Sequence, residues 1–138
     1  MSWFALKERL LTKDHLGFME IDRTCCFCTS SETVKHLFFN CAFSQRVWEE
    51  LRAWLGIAHL SSTILSAIKW IKKDKRATVV LTKARWMALT CTIQIIWNTR
   101  NVANFEGTRC QPSDVIHRVK TQVYGILYSL FSPNIVCL

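Results

Sequence analysis

Apolar residues in this chain recur every three or four positions over long stretches, the spacing that lays one face of an α-helix against a core. From Ser44 to Leu55, the residues Val47, Trp48, Leu51 and Leu55 fall on one stripe, and Gly56 supplies the stop. Ser61 or Ser62 is placed to cap the next helix, whose apolar positions are Ile64, Leu65, Ile68 and Ile71 and which runs into the charged segment KKDKR. Thr78 to Leu81 is β-branched enough to read as a strand, but it has no partner of its kind nearby and is assigned to the helix that follows. In that helix, from Lys83 to about Phe105, Trp86, Leu89, Ile93, Ile96 and Trp97 keep the helical spacing, while Met87, Cys91 and Ile95 widen the stripe. Burial on more than one side is expected. Pro112 and Ser113 open a last helix with Ile116, Val119, Val123, Ile126, Leu127 and Leu130 on one face, until Pro133. Neither glycine nor proline interrupts the chain between Gly56 and Gly107.

The first third is choppier. Trp3 to Leu11 reads as a short amphipathic helix, and Thr12 is a plausible cap for a turn from Asp14 to Met19. Ile21 to Ser30 looks irregular. Ser30 or Ser31 then caps a helix with Glu32 in its first turn, running through Thr33, Val34, His36, Leu37 and Phe38 to about Asn40. The fold class expected is mostly α, a small helical unit nucleated around residues 25–41 followed by a bundle of longer helices. Residues 1–57 form the small unit, 58–85 a helix and basic connecting segment, and 86–138 a C-terminal helical region. No internal repeat is visible.

Composition narrows this picture. Half the 138 residues are hydrophobic and 20% are charged, enough apolar surface to fold and too little net polarity for disorder. Lys7, Glu8 and Arg9 stand within the first ten residues with no apolar stretch and cleavage site behind them, so an intracellular location, nucleus or cytoplasm, is expected. The strongly apolar run from Trp86 to Thr99 is shorter than the roughly 20 residues of a spanning helix and is read as core, with no membrane role. The formal charge of +8 is uneven. Residues 1–57 balance seven basic against seven acidic residues, whereas Lys69, Lys72, Lys73, Lys75, Arg76, Lys83 and Arg85 face only Asp74 within 69–85.

Seven cysteines, an odd number, occur without a secretion signal, and four crowd into residues 25–41. Cys25, Cys28, His36 and Cys41 form Cys-x2-Cys-x7-His-x4-Cys. Four soft or borderline donors in so short a stretch suit one tetrahedral zinc ion, and four protein ligands leave no position for a reactive water, so the zinc is expected to be structural. His36 and Cys41 stand five residues apart, roughly 140° out of phase on an α-helix. Both reach one metal only if the helix ends near Asn40 and the chain turns back, a stop that asparagine tolerates in the left-handed conformation. Cys26 competes with Cys25 as a ligand, although the two-residue spacer favours Cys25. A redox pair at Cys25 and Cys28 lacks a strand-to-helix context. Cys91, Cys110 and Cys137 read as core or incidental thiols, and His15, His59 and His117 have no partner at metal spacing.

The run LTKDHLGFMEID, then CCFC, then ETVKHLFFNCAFSQRVWEEL resembles the zinc-binding domain that follows the polymerase in plant non-LTR (LINE-type) retroelement reverse transcriptases. Thr12, Lys13, Asp14, Leu16, Cys25, Cys28, Glu32, Thr33, His36, Leu37, Phe38, Cys41 and Trp48 stand in matching places, with Leu11 where a proline is usual. The segment IIWNTRNVANFEG, Ile95 to Gly107, is similar to an "IWxxRNxxxFEG" stretch that commonly follows. The resemblance implies a retroelement fragment, or a host gene derived from one, without the polymerase. Of the four aspartates, Asp14, Asp22, Asp74 and Asp114, no two are adjacent to hold a pair of catalytic metal ions.

Two functions follow as expectations. One is binding of RNA or DNA, with the zinc unit as scaffold and Lys69 to Arg85 as the phosphate contact; its bland counterpart is a solvated helix end, and KKDKR also has the composition of a nuclear import signal. The other is a protein-interaction or structural role, in which Trp86, Trp97 and the final helix receive a protein partner or a second copy. No Ser/His/Asp, Cys/His or paired-carboxylate constellation can be assembled from spacing, and no Gly-rich phosphate loop is present, so an enzyme is not expected.

Overall fold

A computed structural model describes residues 10–16, 21–58 and 62–138. The expected helix at Trp3 to Leu11 lies almost wholly outside these residues, as do Met19, His59 and Ser61. Among the described residues four α-helices make the body: α1 Ala42–Leu55, α2 Ile64–Lys73, α3 Val79–Glu106 and α4 Pro112–Leu130. Ahead of them come a 3-10 turn, Lys13–Leu16, and a π-helical turn, His36–Asn40. Among the described residues there is no strand, only an isolated antiparallel bridge between Thr24 and Ser31. The fold is mostly α, with the Cys/His unit leading into the helices.

α3 is the organising element. It packs against α1, α2, α4 and the π turn, and α4 also lies on α1. Its buried residues face two ways, with Ala88, Ile95 and Ile96 joined by Leu89, Ile93 and Trp97, which is why its apolar stripe is so broad. Trp86 and Met87, placed in that stripe by periodicity, are only half-buried. Although α3 is long and apolar enough to cross a bilayer, half of that stretch is buried inside the structure. It also runs unbroken past residues 85 and 86, where charge counting put a boundary. α4 supplies a cleaner stripe, Val115, Ile116, Val119, Val123 and Leu127.

The helix ends show which local signals act. Gly56 closes α1 at φ 63°, a conformation that costs a glycine little. α2 is capped by Thr63 rather than by Ser61 or Ser62: its side chain accepts from the Ser66 amide (3.1 Å), and the Ser66 hydroxyl accepts from the Thr63 amide (3.2 Å). Thr78 caps α3 on the Leu81 amide (3.1 Å), and Pro112 occupies the first turn of α4.

Arg85 contradicts its assignment to the phosphate-binding set. Its side chain is 4% exposed. Nε and Nη2 both donate to the Leu55 carbonyl at 3.2 Å, Nη2 also to the Gly56 carbonyl at 3.2 Å, and Nη1 to Asp74 at 2.6 Å, while the guanidinium lies 4.8 Å over the Trp70 ring. A cation thus satisfies the carbonyls left over at the end of α1 and ties that end to α2. The same ion pair holds the Asp74 carboxyl below its ordinary range. Trp97 is likewise buried, at 6% exposure, and is no part of an exposed aromatic platform. Replacing Arg85→Met should destabilise the fold by about 3 kcal/mol in urea denaturation, because buried acceptors lose their donor. Asp74→Asn should cost much less than Arg85→Met in the same measurement, since that carboxylate is partly solvated.

Candidate metal centre

Residues 23–41 fold around short polar contacts. The Cys25 amide donates to the Ser30 carbonyl (2.8 Å) and the Glu32 amide to the Arg23 carbonyl (2.9 Å), closing a loop whose turn carries Cys25 and Cys28. Backbone amides of Phe27 and Ser30 point at the two sulfurs, at 3.4 Å from Cys25 Sγ and 3.5 Å from Cys28 Sγ. Such donors stabilise thiolate charge. The next helical turn starts on Thr33, whose hydroxyl accepts from the His36 amide (3.0 Å), not on Ser30 or Ser31 as expected.

The phase problem between His36 and Cys41 is solved by a π turn. The Cys41 amide donates to the His36 carbonyl at 2.7 Å, an i to i+5 bond that widens the turn so that the two residues meet through backbone as well as metal. Cys41 itself is extended, and α1 starts at the next residue. The helix therefore ends at Asn40 as the ligand spacing requires. Carbonyls freed by this stop find side chains in α1: Ser44 Oγ donates to the Leu37 carbonyl and Trp48 Nε1 to the Phe38 carbonyl, the latter at 2.6 Å. Stacked rings flank them, Phe27 on Phe43 (4.1 Å between centroids) and Phe39 on Trp48 (5.6 Å).

One donor atom from each of Cys25, Cys28, His36 and Cys41 lies within 4.8 Å of the other three. Cys25 Sγ and Cys41 Sγ are 4.0 Å apart, and Cys28 Sγ is 3.1 Å from His36 Nε2. A tetrahedral zinc with bonds of about 2.3 Å holds its sulfurs about 3.8 Å apart, so the cluster has the size and the donor chemistry of one zinc shell. Cys26 lies beside the cluster but is not one of the four. Hydrogen bonds from the Cys26 and Cys41 thiols hold the Cys25 thiol far below its ordinary range. The same bonds, with burial, hold Cys26 and Cys41 above theirs. Thiolate charge thus gathers on Cys25, and a divalent cation beside it favours loss of the Cys41 proton as well.

The family described as zinc-binding in reverse transcriptase matches residues 1–48. That part of the chain, 48 of 138 residues, is similar to this family. No curated protein and no solved structure matches the chain. The match covers all four ligands and ends at Trp48, the side chain that closes the π turn.

Glu32, expected only as a charge in the first turn of a helix, instead anchors the zinc loop to the bundle. Its carboxylate is fully buried. Oε1 accepts from Arg100 Nη2 at 2.6 Å and from the Lys13 amide at 2.9 Å, and Oε2 accepts from Arg100 Nε at 3.1 Å. The Arg100 guanidinium also lies 4.9 Å over the Trp97 ring. A two-pronged ion pair thus links the zinc loop to the C-terminal part of α3, and Lys13 Nζ fastens the preceding turn to the Thr24 carbonyl at 2.6 Å.

The basic segment stands apart from the metal. Lys69, Lys72 and Lys73 sit on α2, Lys75 and Arg76 on the connection, and Lys83 on the second turn of α3; all six are exposed, and none forms a salt bridge with a described residue. Arg85 is absent from this face for the reason already given.

Two outcomes follow. Metal analysis should find one equivalent of zinc, lost in Cys25→Ser, Cys28→Ser, His36→Ala and Cys41→Ser but kept in Cys26→Ser. Glu32→Gln should cost about 3–5 kcal/mol by leaving Arg100 buried and unpaired, and Glu32→Met with Arg100→Met should recover at least about 2 kcal/mol of it in chemical denaturation.

Proposed function

We propose that this protein is a non-catalytic nucleic-acid-binding module, derived from the reading frame of a plant non-LTR retroelement reverse transcriptase, whose zinc ion is structural. Four protein donors complete a tetrahedral shell, so the ion holds the loop and offers no position for an activated water. The polar work is done elsewhere. The observation that carries the reading is the run of six exposed cations within residues 69–83, from which Asp74 is withdrawn by its bond to Arg85. An uncompensated cationic face gains free energy by displacing the counterions of a phosphate backbone. An intracellular location accords with this reading and with the free cysteines.

The test is binding to labelled RNA and DNA by fluorescence anisotropy across salt concentration. If all six cations meet phosphates, log affinity falls against log salt with a slope of about −4 on a single strand and about −5 on a duplex. Reversing Lys72→Glu, Lys73→Glu and Lys75→Glu together should weaken binding at least about tenfold. Affinity that is flat in salt, or unchanged by the reversal, contradicts the proposal.

A further inference from the structure

Next to the cationic run lies a groove of about 290 Å³, lined by Ala77, Val79, Thr82, Lys83, Trp86 and Phe131. Val79 and Lys83 stand four residues apart on α3, as do Thr82 and Trp86, so the first two turns of α3 present them on one face. Phe131 closes the other side from the end of α4. The wall is predominantly apolar, Val79 is 76% exposed, and Trp86 and Phe131 are half-buried rather than absorbed into the core. Lys83 is both a wall of the groove and a member of the cationic run, and Lys75 and Arg76 lead directly into Ala77.

We infer that this groove takes an unpaired nucleobase, and that the nucleic acid bound by the basic segment is therefore single-stranded. The inference rests on the proposed phosphate contact and goes beyond it. An apolar cleft with aromatic walls suits a flat ring; a cationic rim suits a ligand that carries negative charge beside that ring. Unpaired nucleotides combine the two, whereas a duplex keeps its bases stacked inside and offers only the charge. The same charge complementarity disfavours a neutral apolar peptide as the occupant. Stacking of a base on an aromatic side chain is sequence-tolerant, so no strong sequence preference is expected.

The experiment uses the full zinc-loaded chain and three labelled probes of about 12 nucleotides: a mixed-sequence single strand, the matching duplex, and an abasic strand of equal length and charge. The intact single strand should bind about five- to hundred-fold tighter than the abasic strand. Trp86→Leu should abolish that difference between the intact and the abasic strand. Val79→Glu, at a mostly exposed position at the start of α3, should also remove the difference, while its added negative charge weakens both strands. Charge reversal at Lys72, Lys73 and Lys75 should weaken both strands in proportion. Equal binding of the intact and abasic strands, tighter binding of the duplex, or an advantage that survives both groove variants would overturn the inference and leave the phosphate contact standing. A concentration-dependent dimer broken by Val79→Glu, with no base dependence, would assign the groove to a second copy instead. Absence of binding to all three probes would overturn this inference and the proposed function together.

Discussion

Three sulfurs and one imidazole brought to a common point hold the loop that carries Cys25 and Cys28 against the turn that carries His36 and Cys41. Cys25 and Cys28 sit on a loop closed by two backbone hydrogen bonds that make one isolated bridge, too narrow to bury a core. His36 and Cys41 come from the two ends of a single π turn. Metal binding in such sites is worth about 10–16 kcal/mol, comparable with the whole stability of an ordinary domain. The loop, the π turn and the start of α1 therefore exist as a unit because one ion pins them, and the buried Phe38 and Leu37 enter the common core from that fixed turn.

The rest of the molecule is attached to this point by charge as well as by packing. Glu32 lies between the second cysteine and the histidine, and its partner Arg100 lies on the central helix. A buried pair of this kind contributes little net stability compared with apolar residues of the same shape, but it tolerates no mispairing. It sets the register between the zinc loop and α3 more than it strengthens either. Arg85 does the equivalent at the other end of α1, where it joins the Leu55 and Gly56 carbonyls to Asp74. Two arginines that look like surface charge in the sequence are thus internal ties, whereas Lys69, Lys72, Lys73, Lys75, Arg76 and Lys83 are exposed.

What could be read from the sequence follows from the range of each interaction. The ligand set was legible because its four members stand within 17 residues and no other chemistry wants that combination. The stop at Gly56, the opening of α4 at Pro112 and the broad stripe of α3 were legible because they are local or periodic. The π turn was not, since an i to i+5 bond leaves no mark in composition; only the awkward spacing of His36 and Cys41 hinted that the helix must end there. Ser44 and Trp48 gave no signal as caps because the carbonyls they serve are created by that turn. Glu32 and Arg100 are 68 residues apart, beyond any local pattern. Arg85 was misassigned because a charge count along a segment does not say which side of a helix a residue faces. Thr63 was passed over for neighbouring serines, although Ser66 three residues on completes its capping box.

The central claim is that one zinc ion is held by Cys25, Cys28, His36 and Cys41, and X-ray absorption at the zinc edge of the purified protein addresses it most directly. The account predicts three sulfur neighbours at about 2.3 Å and one nitrogen at about 2.0–2.1 Å. A shell containing oxygen, or one with fewer than three sulfurs, would contradict it.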